Sequence, residues 1–245
     1  MKPRTIIVLI VVLGMASICV RLGFWQISRW HEKQAMNAKL HVEMASEAVP
    51  MRGGMSFESA RDRKLETRGR YDESRQVLLS ARTNSGAPGV EVITPLITES
   101  GKAVLVDRGW LYSADAANAH PEEYPEPGER AVIGMVEPFR HGAGGPPIRE
   151  LPPSSITRYS TRWLDQDSLS RRFPYPLEAF VLRQLPGPGV PVKPLRRAPH
   201  AYDEFMHVSY AIQWFLFAAI ILGGSATLAW SRRRRGPTML IEERA

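Results

Sequence analysis

A single cysteine, Cys19, stands among the 245 residues, and it lies inside an apolar run. Without a second thiol the chain forms no intramolecular disulfide and no paired-thiolate site for copper, zinc or an iron-sulfur cluster. The central region also lacks an excess of either charge. Between Gln26 and His207 there are 24 Lys plus Arg against 23 Asp plus Glu, so the net charge of +7 resides at the two ends. A nucleic-acid footprint needs a basic face on a folded domain, and this distribution excludes nucleic acid as a partner. Catalytic constellations are missing too. His31, His41, His120, His141 and His200 are scattered singly, with no paired metal-ligand spacing. Gly142, Gly144 and Gly145 run into two prolines rather than a helix N-terminus, a poor cradle for phosphate. No nucleophile stands beside a base, so the chain reads as a non-enzyme.

What the chain does have is two long apolar runs. Thr5 to Trp25 is interrupted only by Arg21, and its 21 residues are enough, at about 1.5 Å each, to cross a hydrocarbon core of about 30 Å. A cleaved signal peptide with Lys2 and Arg4 as its positive region is the alternative; an uncleaved anchor is preferred because the run is long and polar chemistry follows it at once. Val208 to Trp230 holds 23 residues without a formal charge, and Arg232, Arg233, Arg234 and Arg235 follow directly. By the positive-inside tendency both tails are cytoplasmic. The expected layout is therefore a cytoplasmic N-terminus (1–4), a first span (5–25), an extracytoplasmic domain (26–207), a second span (208–230) and a polybasic tail (231–245) facing anionic lipid headgroups. No amphipathic organellar presequence is evident, which points to a bacterial plasma membrane.

Between the spans, Arg63–Tyr71, Arg75–Ala81, Val90–Thr98, Lys102–Leu111, Arg130–Glu137 and Glu178–Leu185 are short runs rich in β-branched and aromatic residues, each bounded by turn residues. Glu99, Ser100 and Gly101 read as a hairpin turn. The fold class is membrane-anchored α+β: two transmembrane helices flanking a β-rich domain, a sandwich or an open barrel. Helix is expected to continue through Ile27–Ala48, and a short helix capped by Asp165 is expected near Trp163–Ser170. The Gly- and Pro-dense stretches 138–160 and 186–200 read as loops. Asp107 and Arg108 read as a strand-end ion pair beside a buried Trp110.

The candidate site lies at the outer ends of the spans. Because the helices run in opposite directions, Arg21, Trp25, Gln26 and Arg29 share a membrane depth with His207, Tyr210 and Trp214. Arg21, Trp25 and Arg29 recur every four residues, and His207, Tyr210, Ala211 and Trp214 follow helical spacing, so each set occupies one face and the two faces can meet. Interfacial anchoring alone accounts for tryptophan and tyrosine at such a depth, and a lone histidine is commonly structural. A neutral imidazole nevertheless ligates haem iron well, and arginines pair with propionates.

These same residues carry a resemblance. Gly23, Phe24, Trp25, Gln26, Arg29 and Lys33 resemble the G-x-W-Q-x-x-R-x-x-x-K signature of the surfeit-locus family of cytochrome c oxidase assembly factors. Pro88, Gly89, Val92 to Leu96 and Val104 to Trp110 are similar to its central strand motifs, and His207, Tyr210, Ala211, Trp214 and Phe215 to its H-x-x-Y-A-x-x-W-F segment. Asp107 stands where the family more often has Asn, and Glu204, Phe205 and Met206 replace the asparagines that commonly precede the histidine. The resemblance implies a membrane chaperone for the oxidase core subunit I, working near haem a synthase and, in bacterial members, binding haem a. It implies His207 as the axial iron ligand. Depth and chemistry then suggest Trp25 and Tyr210 as ring contacts, Arg21 and Arg29 as propionate partners, and Gln26 and Trp214 as further contacts. The alternative is a haem-free scaffold that docks on the core subunit through Arg108 and Trp110, since aromatics and arginines favour interface centres.

Overall fold

The computed structural model describes residues 3–140 and 148–234, so the Gly142–Gly145 stretch, His141, Arg235 and the ends of both tails lie outside it. It divides into two compact units, one formed by residues 1–39 and 201–245, the other by residues 40–200.

The first unit holds most of α1 (Pro3–Ala45) and α4 (Phe205–Arg234). Both helices are long and apolar enough to cross a membrane. Helix continues without a break past residue 25, as the apolar spacing predicts. Along α1 a stripe of buried and half-buried residues recurs at alternating three- and four-residue steps: Ala16, Cys19, Gly23, Gln26, Trp30, Lys33 and Asn37. On α4 the corresponding stripe is His207, Ala211, Trp214, Ala218 and Ile221. That is the seam of an antiparallel helix pair, in which small residues let the backbones approach.

The second unit is β-rich. In chain order it contains β1 (Val49–Pro50), α2 (Phe57–Ala60), β2 (Lys64–Tyr71), β3 (Arg75–Asn84), β4 (Ala87–Thr98), β5 (Ala103–Tyr112), β6 (Glu129–Pro138), β7 (Arg149–Glu150), β8 (Thr157–Thr161), α3 (Gln166–Ser170) and β9 (Leu177–Gln184). All six predicted strands are present, and Asp165 caps α3 by accepting from Ser168 N–H. The Glu99–Gly101 turn joins β4 to β5, closed by Gly101 N–H donating to Thr98 O at 3.0 Å. Strands β2, β6, β9, β5 and β4 pair in that order, and β2 pairs with β4 through Gly69–Thr98, Arg70–Ile97 and Tyr71–Leu96. The five strands thus close into a barrel, which leaves no open edge among them. Strand β3, followed by β8 and β7, extends the sheet from β4. Strands β7 and β8 fall in the 138–160 stretch expected to be loop. Leu65, Leu96, Val104, Val106, Val132, Phe180 and Leu182 fill the interior, and the opposite face buries Val77, Ile93, Leu105, Leu164, Leu169 and Phe173.

Candidate functional site

At its inner face β5 presents Val104, Val106 and then Arg108, following the two-residue period of a strand. Arg108 is 0% exposed. Its guanidinium donates to Glu126 from Nε at 3.0 Å and Nη2 at 2.7 Å, to Tyr124 O at 2.5 Å, and to Thr94 Oγ1 at 3.4 Å. Arg196 reaches the same Glu126 oxygen and also donates to Gln184 at 3.0 Å. Burial raises the pKa of Glu126, but Arg108 and Arg196 outweigh it and hold the carboxyl below its ordinary value.

The delivery of Arg196 explains the glycine in Val106-Asp107-Arg108-Gly109-Trp110. The 186–200 segment crosses β5 with Trp110 N–H donating to Leu195 O at 3.0 Å and Leu195 N–H to Trp110 O at 2.8 Å. Gly109 sits at φ +108°, and a Cβ there would collide with the Leu195 carbonyl.

Three expectations are corrected here. Asp107 and Arg108 are not an ion pair, because successive strand residues face opposite sides; Asp107 instead lies 3.5 Å from Arg183 on the outer face. Arg108 is locked inside the domain, so it cannot form a docking surface. Trp110 is half-buried rather than buried, and with Tyr112, Tyr124, Val192 and Leu195 it lines a groove of about 550 Å³. Burial, with the Glu91 carboxylate second, pushes Asp107 up to about 7 against the pull of Arg183.

In the helix pair the signature residues divide differently from the sequence expectation. Arg21 and Trp25 lie off the seam, Trp25 being 54% exposed, and among the described residues Arg21 has no ion-pair partner. Half-buried Arg29 pairs with Glu32 at 2.5 Å, and Tyr210 is 47% exposed. The seam is built instead from Gly23, Gln26, His207, Ala211, Trp214 and Phe215. A Cβ on Gly23 would lie 2.7 Å from the Phe215 ring, so glycine is what admits that ring, which also packs edge-on against Phe24 at 5.4 Å. Gln26, 8% exposed, places Oε1 2.8 Å from Nδ1 of half-buried His207. Trp214 packs edge-on against Phe217 at 5.8 Å.

One set of contacts escaped the sequence reading. Asn37 donates to Tyr202 O at 2.9 Å and accepts from Tyr202 N–H at 2.8 Å, while also donating to Glu204 at 2.7 Å. Lys33 lies over the Tyr202 ring at 3.8 Å. Together they clamp the segment that enters α4 and so fix where His207 falls. A polar residue on the apolar seam, seven residues past Trp30, was the available signal.

His207 is left with one ring nitrogen free among the described residues. One ring nitrogen faces a carbonyl oxygen, no described residue is hydrogen-bonded to Nε2, and two exposed aromatic side chains and an unpaired arginine stand on neighbouring helix positions.

Two apolar helices in a seam with a histidine near the start of the second, on either side of a closed β-barrel in the sequence, define a protein of two candidate membrane helices with an inserted β-domain. The chain belongs to the SURF1 family, whose model matches residues 13–219. It is similar to a SURF1-like protein of Rickettsia felis, 25% identical over 225 residues, covering 87% of this chain and 92% of that one. A SURF1-like protein of Monosiga brevicollis is 26% identical over 238 residues, covering 91% and 87%. The Surfeit locus protein 1 of Takifugu rubripes is 26% identical over 132 residues, covering 47% of this chain and 55% of that one.

Proposed function

We propose that the chain is a two-helix assembly factor of a bacterial plasma membrane that binds haem a through His207 and assists its delivery to core subunit I of a cytochrome c oxidase. Membership of a family associated with cytochrome oxidase assembly supports the setting. The observation that carries the cofactor is the open Nε2 of His207, with Nδ1 engaged by Gln26. Phe215 against Gly23 fills the seam, so a ring-sized ligand on His207 lies along the flank of the pair, where Trp25 and Tyr210 are exposed, rather than between the helices. His207 would hold the haem iron through Nε2, and Arg21 would offset the charge of its carboxylates, with Arg29 partly engaged by Glu32. The two tails are cytoplasmic and the β-domain extracytoplasmic, by the charges flanking the apolar runs. The test is an optical spectrum of detergent-purified protein from cells that make haem a: wild type carries a haem absorption that His207→Ala removes or shifts. An unchanged spectrum takes His207 out of the site.

The Trp110 groove favours a second reading, a haem-free scaffold gripping the core subunit through the β-domain, because aromatic-lined concavities are common docking sites. Crosslinking separates the two. A scaffold captures the core subunit whatever the haem supply; a haem carrier captures it in proportion to bound haem.

A further inference from the structure

We propose that Gln26 is a positioning residue that holds His207 with its proton on Nδ1, so that Nε2 is kept as the open, ligand-ready nitrogen. The part of this that concerns haem rests on the function proposed above; the tautomer itself does not.

The inference starts from the 2.8 Å separation of Gln26 Oε1 and His207 Nδ1. An amide oxygen only accepts, so the facing imidazole nitrogen must carry the hydrogen. In a neutral imidazole the other nitrogen then bears the lone pair, and that nitrogen is Nε2. An unconstrained histidine prefers the reverse arrangement, so a specific acceptor is needed to impose this one. Gln26 is well placed to supply it. It is buried on the seam, three residues after the glycine that admits Phe215, and it is anchored by a continuous helix on both sides.

Packing alone does not account for a glutamine at this position. Buried amides are costly without partners, and an apolar side chain would suit an antiparallel seam between Gly23 and Trp30 at least as well. Orienting a metal-binding imidazole by giving its second N–H to a carbonyl is the recurrent use of such a neighbour. Trp25 and Tyr210 are exposed and are not hydrogen-bonded to the ring, so among the described residues Gln26 alone bears on the proton's position.

The experiment is nitrogen-15 NMR of the histidine rings in full-length chain in nanodiscs, without haem, with His207 assigned by difference from His207→Ala. Wild type is expected to show a protonated Nδ1 and an unprotonated Nε2. Gln26→Leu moves the proton to Nε2, and Gln26→Glu, which keeps an acceptor oxygen, retains the wild-type pattern. Wild type with its proton on Nε2, or Gln26→Leu with unchanged signals, overturns the assignment. Titration of the same samples with haem a supplies the second arm. Gln26→Leu weakens binding by about 10- to 100-fold and Gln26→Glu restores it. Should the NMR behave as stated while wild type takes up no haem a, the Gln26 assignment stands and the haem function falls.

Discussion

In the barrel, Arg108 and Arg196 engage Glu126 so fully that none of the three is left to meet a ligand, whereas in the helix pair His207 engages one ring nitrogen and leaves the other open. Both sets are polar groups placed where apolar ones are expected. The difference is completeness. Opposed charges that satisfy each other hold a fold in register, here by pinning the 186–200 segment across β5, while a half-satisfied imidazole on an apolar helix keeps a nitrogen free for a ligand.

The contrast is broken most forcefully on the barrel side. Arg108→Leu leaves Glu126 with one cationic partner in a dry site and is expected to destabilise the β-domain by about 3–5 kcal/mol, measured by denaturant unfolding of the full chain in detergent. A loss below about 1 kcal/mol would mean that the buried charges are not the brace described here.

Gly23→Leu drives a side chain into the Phe215 ring and is expected to cost about 1–3 kcal/mol of helix-pair stability. Thermal unfolding followed by circular dichroism reads the loss, and the NMR signals of His207 shift with it because Gln26 is displaced. Unfolding unchanged by Gly23→Leu would contradict the close approach of the helices.

Asp107 sharpens the comparison, since it is the one barrel-unit carboxyl pushed up to about 7, by burial and by Glu91. Unfolded, an aspartate titrates near 3.9, so between about pH 4 and 7 the folded chain binds the extra proton. Its contribution is therefore present in full below the ordinary carboxylate range and is lost as the pH rises through about 7. Asp107→Asn should remove that decline and stabilise the protein by up to about 4 kcal/mol at pH 8, with little effect at pH 4. Stability curves of wild type and variant that run parallel across this range would show that the carboxyl ionises freely in the fold.

Much of this architecture is legible in the sequence. The six principal strands declare themselves by β-branched runs between turn residues, and the two apolar helices by length. Barrel closure is not legible, because the pairing of Tyr71 with Leu96 joins strands that no turn connects. Strand β8 is hidden for a similar reason: Thr157–Thr161 is only five residues long, follows a proline-rich stretch and pairs in parallel with β3. Of the site, the depth shared by Gln26 and His207 could be read from helix direction, but the meeting face was misjudged. Spacing alone cannot separate the Arg21-Trp25-Arg29 row from the Gly23-Gln26 row. Residue size does: helices approach where glycine and alanine permit it, as at Gly23 and Ala211, while Arg21 and Trp25 turn outward. Arg108 was misplaced because its buried partner Glu126, and Arg196 that shares this carboxylate, lie 18 and 88 positions further along the chain.

The most direct measurement is haem content and absorption of His207→Gly, purified from haem a-producing cells with and without added imidazole. The account predicts that the variant folds, loses the haem spectrum, and regains it when free imidazole occupies the vacated position. Wild-type haem absorption in His207→Gly without imidazole would contradict it.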